Sequence, residues 1–339
     1  MTTNTAAPSW SAILGTWTFT PVADLLIVLA AVAYLLLLRR RRRHADAAHW
    51  SSARTTSAGL ALAVLVLALN SSLAAYAMQL FWVHMVVHLL LIMVVPVLLV
   101  WAQPIRLLRD RAGPGVRAGV DRAVAGRAAK ILTAPTFTVP LDTAVLVLTH
   151  LTGFQQAMTT HLWIHDAETV LYLVSGYLLF LPLLGTELTG RWLAYPLRFV
   201  VLALCMGPDT LVGVTLMLGN RVLAPAYAAS RPGWGPGALS DQRAAGAVMW
   251  VAGDGLMMVL MLITALQWVR AGQGDRGLGP WLEGIRRQAT VGDTGTNTTH
   301  LDVDDDAAAH EAYNTRLAAL NGLDRHHPDN SPTAGGHGP

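Results

Sequence analysis

Seven long apolar stretches restrict the kinds of fold that this chain can adopt. Their positions are 22–38, 58–77, 79–101, 137–158, 163–184, 195–219 and 244–269. The hydrocarbon core of a bilayer is about 30 Å thick and is crossed by about 20 helical residues. A helix also satisfies its own backbone hydrogen bonds, as any segment surrounded by lipid must. Because charged residues make up only 13% of the chain, we predict an all-α polytopic membrane protein, a bundle of seven transmembrane helices.

The basic residues between these stretches predict how the chain is oriented. Segment 1–21 has no Lys or Arg, and the basic run at 39–43 follows the first span, which is unlike a cleaved signal peptide. With the N-terminus outside, the internal loops hold 15 Lys or Arg residues and the outer segments hold 3. Cytoplasmic loops are enriched in positive charge, so we expect the N-terminus outside and the C-terminus inside. The basic charge is then a sign of topology beside a lipid bilayer and does not indicate nucleic-acid binding.

The composition divides the chain into three regions. We predict an extracytoplasmic N-terminus at 1–21, a membrane domain at 22–269 and a cytoplasmic tail at 270–339. The tail is polar and rich in Gly, so most of it is expected to be disordered. Apolar residues at helical spacing predict one short tail helix at 309–323.

Histidines are the most unusual polar residues in the predicted spans. His84 and His88 lie one helical turn apart, with Cβ atoms about 5–6 Å from each other, inside a run without formal charge. The predicted topology places His150, His161 and His165 toward the same outer side. One such histidine is adequately explained by packing, but polar groups in lipid usually mark a functional site. We therefore predict that these five histidines form a metal or cofactor site.

The residues near these histidines favour copper as the metal. Neutral imidazole suits copper, zinc or iron, and thioether suits Cu(I). Met78, Met85 and Met158 are expected at a similar depth, although each of them alone is better explained by packing or by contact with lipid. Glu168, one turn after His165, is expected to orient that imidazole ring, as carboxylates often do behind a metal ligand.

Two acidic residues are expected near the bilayer centre. Asp209 lies in the sixth span and Asp254 in the seventh, where an Asp costs about 2.5–3.5 kcal/mol on insertion scales. Each should therefore have a partner or carry a proton. They could form a proton or cation path, or a structural polar clamp between two helices. Cys205 is the single cysteine, so an internal disulfide is excluded.

Three segments share their order and spacing with a known family. They are HMVVHLLLIMVVPVLLVWAQP at 84–104, HLWIHDAETVLYLVSGYLLFLPLLG at 161–185 and DQRAAGAVMWVAGD at 241–254. Together they resemble the multi-span CtaG-type cytochrome c oxidase assembly proteins. The matching positions are His84, His88, Pro96, Pro104, Asp241, Gln242, Gly246, Met249 and Trp250.

The resemblance implies a role without catalysis. It implies that the chain helps to mature an aa3-type oxidase in the plasma membrane, with oxidase subunits as partners and copper supplied from the outer face. Asp241 is implied as an auxiliary residue of that site. Two departures restrict the comparison: Thr169 stands where many members have another His, and no proline stands two residues after His150.

Two other functions remain open at this point. The protein could be a b-type haem-binding redox protein in which His88 and His150 are axial ligands on facing helices. It could also be a transporter that moves copper or protons through Asp209 and Asp254. The chain shows no internal repeat of the kind common in transporters.

Overall fold

The structure confirms the predicted all-α class. The computed structural model describes residues 7–40, 50–185, 193–230 and 233–271, with four further tail positions at 311, 314, 317 and 318. These residues form fifteen α-helices, and no strand occurs among them. The first nine helices are α1 (Trp10–Gly15), α2 (Pro21–Arg39), α3 (Ser52–Asn70), α4 (Ser72–Ala77), α5 (Phe81–Leu89), α6 (Val95–Ala102), α7 (Pro104–Arg111), α8 (Pro114–Ala125) and α9 (Arg127–Leu132). The next six are α10 (Pro135–Leu151), α11 (Phe154–Thr160), α12 (Leu162–Leu184), α13 (Tyr195–Leu218), α14 (Pro225–Ser230) and α15 (Ala238–Ala271).

Six helical segments are long and apolar enough to cross a membrane. They are Pro21–Arg39, Ser52–Asn70, Phe81–Arg111, Trp163–Leu184, Tyr195–Leu218 and Ala238–Arg270. Six of the seven predicted spans overlap these segments. Many of their large apolar side chains point outward; every described residue of α2, for example, is at least partly exposed. This is the surface expected of helices that face lipid.

The structure does not show one continuous helix over the fourth predicted span, 137–158. Its helix α10 ends at Leu151, and α11 begins only at Phe154. Thr152 has extended backbone angles; its hydroxyl donates to the Leu148 carbonyl at 2.6 Å and accepts from the Phe154 amide at 3.2 Å. These hydrogen bonds end one helix and begin the next. The seven-span count and the orientation of the termini therefore stay predictions.

The second predicted span, 58–77, also needs correction. Helix α3 starts earlier, where the Ser51 hydroxyl accepts from the Ala53 amide. It ends at Asn70 because Ser71 is extended and accepts from the Leu73 amide, which starts α4. Serine at such positions satisfies amides that a helix start leaves open. A hydropathy pattern cannot show the caps formed by Ser51 and Ser71.

Chain contacts divide the protein into two compact units. The first, Met1–Thr264, contains the helices that carry the candidate site. The second, Ala265–Pro339, is described only for the end of α15 and for the four isolated tail positions, all of them helical. The remainder of the predicted tail helix at 309–323 lies outside the described residues.

A π-helical turn at Leu90–Val94 joins α5 to α6 directly after His88. Pro96 has no backbone N–H, so it cannot donate to the Ile92 carbonyl as a continuous α-helix would require. Gly176 of α12 lies against that carbonyl, and a Cβ atom there would overlap it. Proline and glycine thus fix the geometry of the chain immediately beyond the two histidines.

Replacing Gly176 with Ala should destabilise the protein, because its methyl group would collide with the Ile92 carbonyl and lie 2.9 Å from the Pro96 Cγ. Overpacking of this kind costs about 1–3 kcal/mol, so the thermal midpoint of the purified protein should fall. Gly207→Ala in α13 is the matched control, since its Cβ meets nothing within 4 Å and alanine favours a helix. Equal midpoints for both variants would contradict the close contact.

Candidate metal centre

Helix α5 presents His84 and His88 to the interior of the bundle. Their side chains are 2% and 7% exposed, and their ring centroids lie 3.9 Å apart. The start of this helix is held from α15: Asp241 accepts hydrogen bonds from the amides of Phe81 and Trp82 at 2.8 and 3.0 Å. A carboxylate is favourable at a helix N-terminus, where the amides have no helical partner. Asp241 therefore anchors the helix that carries both histidines.

Glu168 of α12 completes a group of three potential ligands. Its carboxylate oxygens lie 3.9 Å from His84 Nε2 and 3.5 Å from His88 Nε2, and one ligand atom from each residue falls within 4.8 Å of the others. All three side chains are buried. The Glu168 oxygen Oε1 is fixed by the Tyr172 hydroxyl at 3.2 Å and the Gln155 amide nitrogen at 3.4 Å.

A chain of hydrogen bonds sets the tautomers of the neutral rings. His150 Nδ1 lies 2.8 Å from the Leu146 carbonyl, which can only accept, so Nδ1 carries the proton. His150 Nε2 therefore offers a lone pair to His88 Nδ1, 3.2 Å away. His88 donates from Nδ1 and keeps a lone pair on Nε2, facing Glu168. This is the pattern of metal-binding histidines, whose second nitrogen donates to a neighbour.

The three residues fit a metal ion because several of their nitrogens lack another partner. Both ring nitrogens of His84 and the Nε2 of His88 are buried without a hydrogen bond. Leaving a buried polar group unsatisfied costs about 1–3 kcal/mol. Two imidazoles and one carboxylate are ligands that suit divalent copper, zinc or iron. The buried nitrogens and this donor set therefore have the chemistry of a metal centre.

Comparison of the sequence with known protein families assigns the chain to one of them. Residues 32–271 match the family described as the cytochrome c oxidase caa3 assembly factor. The chain belongs to this family. The predicted resemblance is confirmed.

Mycobacterial proteins are among the curated relatives of this caa3 assembly factor family member. Uncharacterized proteins of Mycobacterium bovis and Mycobacterium tuberculosis are each 30% identical to it over 218 residues, which cover 61% of this chain and 33% of the relative. An uncharacterized protein of Mycobacterium leprae is 26% identical over 214 residues. The chain thus spans about a third of the length of these relatives. No solved structure matches it.

The other predicted ligands of this family member are not all brought to the centre. The ring of His165 lies 6.4 Å from that of His84 and is partly exposed. His161 is exposed at the start of α12, with its Nδ1 3.4 Å from the Ala157 carbonyl. His150 is buried, but it orients His88. The centre is therefore formed by a subset of the five predicted histidines.

The three predicted methionines also differ in position. Met78 is exposed, whereas Met85 and Met158 are buried. Met85 lines a small cavity together with His88, His150 and Tyr172. Of the three methionines, only Met85 is among the residues that line this cavity.

Two tyrosines near the centre were missed from the sequence. The Tyr172 ring lies 4.4 Å from His88, and its spacing of one helical turn from Glu168 could have indicated this. Tyr227 of α14 packs with its ring 5.8 Å from His84, and no sequence pattern points to it. Burial, followed by the charges of Glu168 and Asp241, raises the pKa of Tyr227 well above its ordinary value. Its hydroxyl therefore keeps its proton.

The two aspartates of the predicted polar path differ in their surroundings. Asp254 accepts a hydrogen bond from the Thr210 hydroxyl at 2.7 Å. Asp209 is 1% exposed, and neither of its carboxylate oxygens has a hydrogen-bond partner. It lines the same small cavity as His88 and His150. A purely structural clamp would leave its oxygens better satisfied.

Proposed function

We propose that this protein is a non-enzymatic assembly factor for cytochrome c oxidase that holds a copper ion at His84, His88 and Glu168. The ion would be cargo, supplied to oxidase subunits from the outer face of the plasma membrane. The observation that carries the proposal is the meeting of these three ligands in a buried site whose imidazole nitrogens lack other partners. Membership of the oxidase assembly factor family supports the choice of recipient.

The residues around the site support binding of a cation. Glu168 would supply a counter-charge to a bound cation, and a buried ion without a counter-charge is costly. Tyr172 and Gln155 hold the carboxylate by neutral hydrogen bonds, so they fix its position and leave its charge uncompensated. His150 keeps the Nε2 lone pair of His88 toward the site.

Copper is the ion favoured by affinity. Sites with nitrogen and oxygen ligands bind divalent copper more tightly than zinc or iron. Purified full-length protein from copper-replete cells should carry close to one copper ion per molecule at this site, and Glu168→Gln should lower that ratio. Zinc or iron at the site in place of copper would overturn the choice of metal, and a protein that binds no metal would overturn the site.

The haem alternative is less well supported by the geometry. His88 and His150 are joined directly, nitrogen to nitrogen, at 3.2 Å. A metal ion between two imidazoles needs about 4 Å, twice a typical metal–nitrogen bond of about 2.0 Å, and a porphyrin needs much more space than the small cavity beside these rings. We therefore expect the visible spectrum of the purified protein to lack a Soret band.

The outer-face location depends on the topology predicted from loop charges. A reporter fused after Arg270 should be found in the cytoplasm, and one inserted in the 220–243 segment should be found outside. The reason is the excess of basic residues in the predicted internal loops. The two reporters should be compared in one host by accessibility to a reagent that does not cross membranes. Reversed locations would move the centre to the inner half of the membrane and contradict delivery from outside.

A further inference from the structure

Three short helices follow the span that carries the two histidines of the metal centre. Gln103 joins α6 to α7 with a left-handed backbone, φ 53°, and such a residue ends a helix. Helices α7, α8 and α9 then run from Pro104 to Leu132, and we call this stretch the basic segment. Its first helix ends a membrane-crossing candidate of 31 residues. Since about 20 residues cross a bilayer, the basic segment lies where the chain reaches the lipid headgroups.

The basic segment carries an excess of positive charge. It contains seven Lys or Arg residues and two Asp residues. The two aspartates form ion pairs with Arg106, Arg109 and Arg117. Arg122 and Arg127 are exposed, and neither forms an ion pair with any residue that the structure describes. Their guanidinium groups are therefore available to an anion outside the chain.

The end of α2 adds to this positive surface. Arg111 is buried at the end of α7, and its Nη1 donates to the Arg40 carbonyl at 2.6 Å. Arg39 and Arg40 are themselves exposed. Basic side chains that follow two different spans therefore meet at one end of the bundle, whichever side of the membrane that end occupies.

The same segment has apolar side chains that the described part of the protein leaves uncovered. No residue of α8 or α9 is buried. Val116, Val120 and Val124 repeat every four residues in α8 and so share one helix face, on which Val116 is 48% exposed. Ile131 and Leu132 of α9 are also exposed. Helices with an apolar face and basic residues typically lie in the membrane interface, with that face against the acyl chains.

We propose that the basic segment binds anionic phospholipids, with Arg122 and Arg127 on the phosphate groups and the valine face of α8 against the acyl chains. Guanidinium groups match phosphate oxygens through paired hydrogen bonds. A phospholipid supplies both the negative charge and the apolar chains, whereas free phosphate would leave the valines uncovered. This interaction goes beyond the proposed function and does not depend on the metal centre.

Two lipids that differ in headgroup charge test the proposal. The purified full-length protein in a neutral detergent should be titrated with phosphatidylglycerol, which is anionic, and with phosphatidylcholine of the same acyl chains. Bound lipid should be counted by native mass spectrometry for wild type and for the double variant Arg122→Gln/Arg127→Gln. The matched control is Arg221→Gln/Arg243→Gln, which removes two exposed arginines that lie outside the basic segment.

We expect the wild type to prefer phosphatidylglycerol. The double variant should lose about 5-fold in affinity for this lipid per charge removed, the effect of one basic residue at an anionic membrane surface. Its affinity for phosphatidylcholine and the lipid binding of the control should stay at the wild-type level. The preference should also fall at about 1 M salt, where charges are screened within about 3 Å. Inorganic phosphate should not compete, because it has no acyl chains.

Three results would overturn the proposal. Equal affinity of the wild type for both lipids would mean that the basic segment is only a solvated charged surface. An unchanged preference in Arg122→Gln/Arg127→Gln would place the lipid on another part of the protein. Competition by inorganic phosphate would identify a site for free anions. None of these results involves copper, so each leaves the proposed function untouched, and Arg122→Gln alone decides if the double variant does not fold.

Discussion

Replacing His84 and His88 together with alanine should remove most of the copper bound per folded protein. The two imidazoles are two of the three proposed ligands, and even indirect changes at metal sites cost about 10–100-fold in affinity. The variant should still insert into the membrane, because both changes make α5 less polar and remove no backbone hydrogen bond. Copper should be measured by elemental analysis on protein that elutes as a single folded species. Cellular oxidase activity should fall with it.

His161→Ala is the matched control for this experiment. His161 was predicted at the same side of the membrane, yet it is exposed and outside the group of three ligands. Its replacement should leave the copper ratio unchanged. If the double variant instead keeps its copper ratio and loses abundance, the buried histidines serve packing, and the oxidase role must depend on protein contacts.

Replacing Asp241 with alanine should destabilise the membrane domain more than any substitution described above. Asp241 holds the amides of Phe81 and Trp82, and hydrogen bonds to a charged group contribute about 1.5–3 kcal/mol each. Its loss would also leave the buried Phe81 amide without this partner. We expect a clear fall in the thermal midpoint, together with weaker copper binding, because α5 would no longer be anchored.

The control for this substitution is Asp166→Ala, since the Asp166 side chain is 83% exposed and surface changes usually stay within about 0.5 kcal/mol. Asp241→Asn provides a further comparison, because its side-chain oxygen can still accept one of the two hydrogen bonds. Its midpoint should fall between those of wild type and Asp241→Ala. Wild-type stability in Asp241→Ala would show that water replaces the carboxylate at no cost.

The paired histidines were predictable because the signal is local. Two imidazoles one turn apart in an uncharged run must share a helix face, and polar groups in lipid usually point inward. The sequence indicates Glu168 as part of the site with His165 as its expected partner, whereas the structure brings it to His84 and His88. Spacing within one helix shows which residues are neighbours on that helix and does not show which other helix they meet.

Other features depend on contacts that a hydropathy pattern does not contain. Expected depth groups His161 with the centre, but depth does not determine the direction of a side chain around the helix axis. The end of α10 at Leu151 depends on a threonine hydroxyl in two hydrogen bonds. Tyr227 reaches His84 from a separate short helix, where no periodicity points toward the site.

The hydrogen bonds from Asp241 to the start of α5 join residues 159 and 160 positions apart in the chain. During synthesis, the start of α5 therefore lacks this carboxylate partner until α15 follows. Glu168 also arrives well after the two histidines. All three proposed ligands thus precede α15 in the chain, and the anchor of the helix that carries both histidines is supplied by the last long helix among the described residues.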